Sequence, residues 1–214
     1  MLPLCTESDL LTLEPAIVAA AELADFHALQ KAEATLTGTT LALTSASFDT
    51  AGVLAGMVAI IRLADDSAGV NCEIVSVAAD TATVSLIRPR DGAATPPGIG
   101  GAVSVTVLNL RALIDAVGAE LVALLHAPAD QAIDPAAITW AGPVRSACAM
   151  GVLARLMRIT AAPTHLINVL PAKQQAYENA YCALRRSLVA YIDTDDDGIP
   201  DATSYTGAAH LERA

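Results

Sequence analysis

The sequence predicts an α+β protein: a predominantly helical core with a small β-barrel or sandwich module inserted into it. Three observations point there. Apolar residues recur at helical spacing towards both ends of the 214-residue chain. Threonine- and valine-rich stretches alternate through the middle. Pro/Gly loops mark where one pattern gives way to the other. The domains that follow are 1–34 with 110–192 for the helical core, 35–109 for the β module, and 193–214 for a flexible acidic tail.

The first element is a long helix over about Glu14–Ala34. Pro15 falls in its first turn, where a missing N–H costs nothing. Leu13, Ile17, Ala20, Ala24 and Ala28 repeat at helical spacing. The pattern then changes period. "TLTGTTLALTSASF", "GMVAIIRL", "VNCEIVSVAADTATVSLIRP" and "AVSVTVLNL" read as about five short strands, with "AADT" as a hairpin turn. "RDGAATPPGIGG" is a loop. Helices resume after Asn109. Leu113, Val117, Leu121 and Leu124 share one face, and Val144, Cys148, Val152, Leu156 and Ile159 share another. "AKQQAYENAYCALRRSLVAYI" presents Tyr177, Tyr181, Leu184, Leu188 and Tyr191 as a packing stripe, with charged and amide residues opposite.

Composition narrows the function classes. Hydrophobic residues make up 54% of the chain, but aromatics only 3%, and the mean hydropathy is +0.49. Much of the apolar content is alanine, which favours helix yet buries little area per residue. Neighbouring subunits are expected to complete the burial. No apolar run reaches the roughly 18 residues of a membrane span, and the first residues lack a basic-then-apolar leader, so the expected place of synthesis and residence is a cytosol. Cys5, Cys72, Cys148 and Cys182 form no C-x-x-C pair and read as buried free thiols. The net charge of −11 repels phosphate backbones. "RPR" at 88–90 and Arg185–Arg186 are the basic clusters, and neither is interleaved with aromatics.

No catalytic motif is legible. There is no phosphate-binding G-x-x-x-x-G-K-[ST], no G-x-S-x-G and no H-E-x-x-H. "GIGG" at 98–101 leads into a strand. His27, His126, His165 and His210 are isolated in sequence. The expectation is a non-enzyme with no required cofactor. A site assembled only in the fold from His27, His126, His165 and acidic residues is the enzymatic alternative.

One stretch does suggest chemistry. "YIDTDDDGIPD" sets aspartates at alternate positions, as a calcium loop requires of its oxygen ligands. Asp193, Asp195 and Asp197 take positions one, three and five. Gly198 allows the sharp turn at six, the Ile199 carbonyl takes seven and Asp201 nine. The twelfth position is Ser204, where a bidentate glutamate belongs, and Pro200 stiffens the second half. The alternative is an acidic, solvated end to the last helix, where aspartates oppose the helix dipole.

"PVRSACAMGVLARLM" followed by "AKQQAYENAYCALRRSLVAYIDTDDDGIPD" resembles the helical core of head–tail connector (adaptor) proteins of long-tailed bacteriophages and gene transfer agents. The matching positions are Val144, Arg145, Leu153, Lys173, Tyr177, Tyr181, Leu184 and Asp193–Gly198. "TESDLLTLEPAI" is similar to the entry into their first helix. The β module departs from the smallest, all-helical members. The resemblance implies a connector-like core of a long N-terminal helix plus a C-terminal helix bundle. It implies a virion neck protein made in a bacterial host cytoplasm, forming a homo-oligomeric ring of about a dozen subunits. One face would meet the portal protein, through a tail carrying Tyr205, His210, Leu211 and Arg213. The other would meet a stopper or tail-terminator protein, and genomic DNA would pass through the lumen without sequence-specific contact. The competing readings are a different neck or tail-completion protein, and a Ca2+-responsive interaction or scaffold module built on Asp193–Asp201.

Overall fold

A computed structural model describes residues 4–63, 69–88, 92–125, 138, 142–161, 169–193, 195, 199 and 201–205. The chain forms two compact units. Residues 6–110 make one; residues 4–5 and the described residues from Arg111 onward make the other.

The first unit begins with two short helices, α1 (Glu7–Leu13) and α2 (Ile17–Leu23). Thr6 caps α1 reciprocally with Asp9: each side chain bonds the other's backbone N–H. Pro15 ends α1 rather than starting a helix. It forces the residue before it out of helical geometry, and Glu14 is extended at φ −141°, ψ 94°. After α2 the chain turns through Asp25, at φ 57°, and enters a strand.

Six strands follow: β1 (His27–Thr37), β2 (Thr40–Leu43), β3 (Val58–Leu63), β4 (Val70–Val77), β5 (Thr81–Leu86) and β6 (Gly101–Leu108). They close into an antiparallel barrel in the order β1-β2-β5-β4-β3-β6. Closure leaves no unpaired edge. Alternate residues fill the interior, including Leu36, Leu41, Ile61, Ile74, Val84 and Val105, with Phe48 and Met57 from the β2–β3 connection. Val58, Ile60 and Leu108 point the other way and are buried too. In the same unit α2 lies against β6 and contributes buried Ile17, Ala20 and Ala21. The β1–β6 register slips between His27 and Ala32. There Lys31 takes φ 49°, and its N–H bonds the hydroxyl of buried Thr106 at 3.2 Å instead of a strand partner.

Glu7 ties α1 to the barrel. The residue is 3% exposed. One oxygen accepts from the Val58 N–H at 3.1 Å and the other from the Leu110 N–H at 2.5 Å. The Ser8 N–H donates to the Gly56 carbonyl beside it. Gly56 sits at φ +87°, and a Cβ there would come 2.9 Å from the Thr6 methyl. A side chain would therefore be both strained and in the way of the helix start.

The second unit contains α3 (Arg111–Leu124), α4 (Gly142–Ala161), α5 (Val169–Arg186) and a hairpin of β7 (Val189–Ile192) with β8 (Ala202–Tyr205). Both α3 and α5 pack on α4. Gly151 sits at their meeting: a Cβ on it would lie 2.8 Å from Val117 and 2.9 Å from the Tyr181 ring. Beside it, Glu120 of α3 takes Arg185 of α5 at 2.9 Å and Arg155 of α4. The Arg185 guanidinium lies 5.6 Å from the Tyr181 ring centre.

These units correct the expected fold. The protein is not a predominantly helical connector core. The long first helix over Glu14–Ala34 does not exist; its second half is β1, paired with β6 on one side and β2 on the other. Alanines at helical spacing bury too little to hold a helix against that pairing. The last helix ends at Arg186, five residues before Tyr191, so the stripe is cut. Tyr181 is buried on α5, and Tyr177 and Leu184 are half-buried there. Leu188 is buried after the helix, and Tyr191 is an exposed residue of β7. No described helix is long and apolar enough to cross a membrane.

Two predictions test this packing. Glu7→Gln keeps the shape but turns an NH2 group towards one backbone donor, stranding it. The expected loss is about 1–3 kcal/mol of stability, read by urea unfolding; an unchanged midpoint would remove the bracket. The second concerns alkali. Burial, and then the Glu120 carboxylate, push the Tyr181 phenol from 10.0 up to about 12. Burial pushes the Cys72 thiol from 9.0 up to about 12. Between those limits the unfolded chain binds fewer protons than the folded one, so stability falls as pH rises from about 9 to about 12. Tyr181→Phe should flatten the part above pH 10 in a series of melting curves.

Candidate metal site in the C-terminal hairpin

The aspartate-rich stretch is the loop of a β-hairpin, not the continuation of a helix. Arg185 and Arg186 stand in the last turn of α5, where positive charge suits the dipole. The opposition between aspartates and a helix end, expected from the sequence, is thereby removed. Val189 pairs with Tyr205, Ala190 with Ser204, Tyr191 with Thr203 and Ile192 with Ala202. The opposite edge of β7 meets Ile138 in an isolated bridge to Ile192. β-branched Val189 and Ile192 favour this extended state.

The register decides what the carboxylates can do. One step beyond the Ile192–Ala202 pair, Asp193 and Asp201 face each other across the neck of the loop. The Asp201 N–H donates to the Ile192 carbonyl at 2.8 Å and holds the neck closed. Asp195 leans back to the same place. One carboxylate oxygen from each of Asp193, Asp195 and Asp201 lies within 4.8 Å of the others. Two oxygens on one calcium ion are at most about 5 Å apart, since each bond is about 2.3–2.6 Å. The three residues are therefore close enough to hold one cation, and oxygen-only ligands suit a hard ion. Asp193 is 4% exposed; Asp195 and Asp201 are exposed.

The helix–loop–helix frame of the expected twelve-residue loop is absent among the described residues. Ser204, its twelfth position, is buried in β8 opposite Ala190. The loop closes at Asp201 instead. Asp197 and Gly198 lie outside the described residues, and Ile199 is 66% exposed. Of the docking residues expected from the sequence, Tyr205 is the last residue of β8. His210, Leu211 and Arg213 lie outside the described residues.

Among the described residues, the other candidates meet local partners. His27 lies 3.0 Å from Asp25 in the turn before β1, while His126, His165 and His210 fall outside the described residues. Arg88 reaches Glu73 at 3.6 Å and donates to the Gly92 carbonyl. Arg185 is held by Glu120. "GIGG" leads into β6, with Gly98 at φ 75° and Gly101 at φ 91°. Sequence reasoning missed the meeting of Cys5 with Cys148, whose sulfurs are 3.3 Å apart. A separation of 143 residues carries no local signal.

No protein-family model, curated protein or solved structure matches the chain.

Proposed function

We propose that the chain is a non-catalytic assembly protein of tailed-phage or gene-transfer-agent particles, acting as a head–tail connector or adaptor. In this reading it forms a ring of about a dozen copies. The ring joins the portal to the tail or stopper and passes DNA through its lumen. The observation that carries the reading is the order of elements in the second unit. Two packed helices, α4 and α5, are followed by the β7–β8 hairpin, whose loop carries "DTDDDGIPD". That is the order of the connector resemblance, with the helix-dominated core removed from it. The barrel is then an added unit with its own core. The net charge of −11 fits a lumen along which DNA slides without being gripped. A mass-spectrometric inventory of particles from the source organism tests the role. About one copy per portal subunit is expected; absence from complete particles would sink it. Deleting residues 206–214, beyond β8, should weaken binding to the portal while the hairpin stays folded.

A second reading is favoured by the convergence of Asp193, Asp195 and Asp201. We infer that the loop takes Ca2+, and that a Ca2+-responsive interaction module is the alternative to a particle role. Binding would set one cation among three carboxylates, one of them buried, that the hairpin already brings together. Calorimetric titration should show a dissociation constant of about 0.1–1 mM, the range of weak extracellular modules. Asp193→Asn should abolish the heat. No heat from the unaltered protein at millimolar Ca2+ would end this reading and leave the particle role standing.

A further inference from the structure

We propose that Cys5 and Cys148 are a redox-sensitive dithiol that a peroxide converts into a disulfide, clipping the N-terminal segment to α4. The geometry is already close. The sulfurs stand 3.3 Å apart, and a disulfide needs them about 1.3 Å closer, at about 2.0 Å. Both residues belong to the same unit and both are fully buried. Cys148 is fixed by α4, with its sulfur 3.9 Å from the Ile114 carbonyl of α3. Cys5 itself lies outside any helix or strand, between Leu4 and the α1 cap Thr6. Leu4 packs near Gly118 of α3, 3.7 Å from where a Cβ would stand. The adjustment therefore falls on residues 4–5, which lie outside any helix or strand.

Burial explains how the pair stays reduced until challenged, and the segment explains how an oxidant gains access. Local opening of residues 4–5 brings the Cys5 sulfur into contact with solvent. In the open state the Cys5 thiolate attacks a peroxide oxygen. The O–O bond breaks, Cys5 becomes a sulfenic acid and the departing hydroxide takes a proton to become water. When the segment recloses, the Cys148 thiolate attacks the Cys5 sulfur. The S–S bond forms, the S–O bond breaks and a second water leaves. Two thiols lose two electrons and one peroxide gains them. The bridge spans 143 positions, so it closes a chain loop that contains the whole barrel unit. Long loops gain the most from such closure. Of the other two cysteines, Cys72 serves as an internal control. Cys72 is buried inside the barrel; Cys182 is half-buried on α5.

The test uses the full chain carrying Cys182→Ser, so that one partly exposed thiol is removed. The folded protein is treated with hydrogen peroxide, then unfolded, alkylated and mapped by mass spectrometry. The expected result is loss of two hydrogens from the intact mass, a Cys5 peptide joined to a Cys148 peptide, and Cys72 alkylated. The melting temperature should rise by several degrees and fall back on adding dithiothreitol. Adding Cys5→Ala should abolish both the link and the shift. Full alkylation of Cys5 and Cys148 after oxidation would overturn the proposal, as would a link from Cys5 to Cys72. A Cys5–Cys148 link with an unchanged or lower melting temperature would overturn the clip. The same map on the unsubstituted chain decides the matter should Cys182→Ser fail to fold.

Discussion

The barrel unit is organised around a carboxylate kept out of water. Glu7 stands at the start of α1, where the helix dipole favours negative charge. Its two oxygens go to two backbone donors at the ends of neighbouring strands: Val58 opens β3, and Leu110 follows β6. Burying an ion costs several kcal/mol unless it is fully hydrogen-bonded. Here each oxygen has a charge-assisted bond, and each N–H has an acceptor where its ladder has ended. The arrangement demands that α1 begin at one place and at one angle. Thr6 and Asp9 fix the place by reciprocal capping. Gly56 fixes the angle by yielding space to the Thr6 methyl and offering its carbonyl to Ser8.

The helical unit solves a different problem, imposed by composition. With few aromatic side chains, its helices gain little from large interlocking surfaces. They come close instead. Gly151 lets Val117 and the Tyr181 ring approach α4 at a distance no side chain would allow. Close approach brings the polar residues of three helices together, and Glu120 then serves Arg155 and Arg185 at once. A shared carboxylate between two guanidinium groups adds direction to contacts that apolar burial alone would leave adjustable. Tyr181 joins both features, since its ring meets Gly151 and receives Arg185 on its face.

Where the sequence could be read, and where it could not, follows from how far each signal travels. Alternation in Val103, Val105 and Val107, against Ser104 and Thr106, is local, and it marks β6 without help from the rest of the chain. Pro15 is ambiguous locally: it suits the first turn of a helix, and it equally bars Glu14 from helical geometry, which is how it ends α1. The alanines after it have a spacing that suits a helix but too little burial to enforce one. β1 is a strand because β2 and β6 bond to it, and that information lies in residues 40–43 and 101–108. The last helix misled for the same reason. Leu188 and Tyr191 continue the spacing of Tyr177, Tyr181 and Leu184, yet residues 189–192 pair with residues 202–205 across the loop. The spacing of Asp193, Asp195 and Asp201 was visible; the hairpin that brings them together was not.

That hairpin changes what the acidic stretch is able to do. On a free tail, repelling carboxylates relax by moving apart, and a cation must supply the whole cost of gathering them. A hairpin with fixed register removes that freedom beforehand. Asp193 follows Ile192 into the neck, Asp201 precedes Ala202 out of it, and the Asp201 N–H to Ile192 carbonyl bond sets their approach. Part of the ordering cost is then met by the strand pairing. A cation would meet three carboxylate oxygens already gathered within 4.8 Å of one another, and the strand register, not the ion, decides which residues supply them.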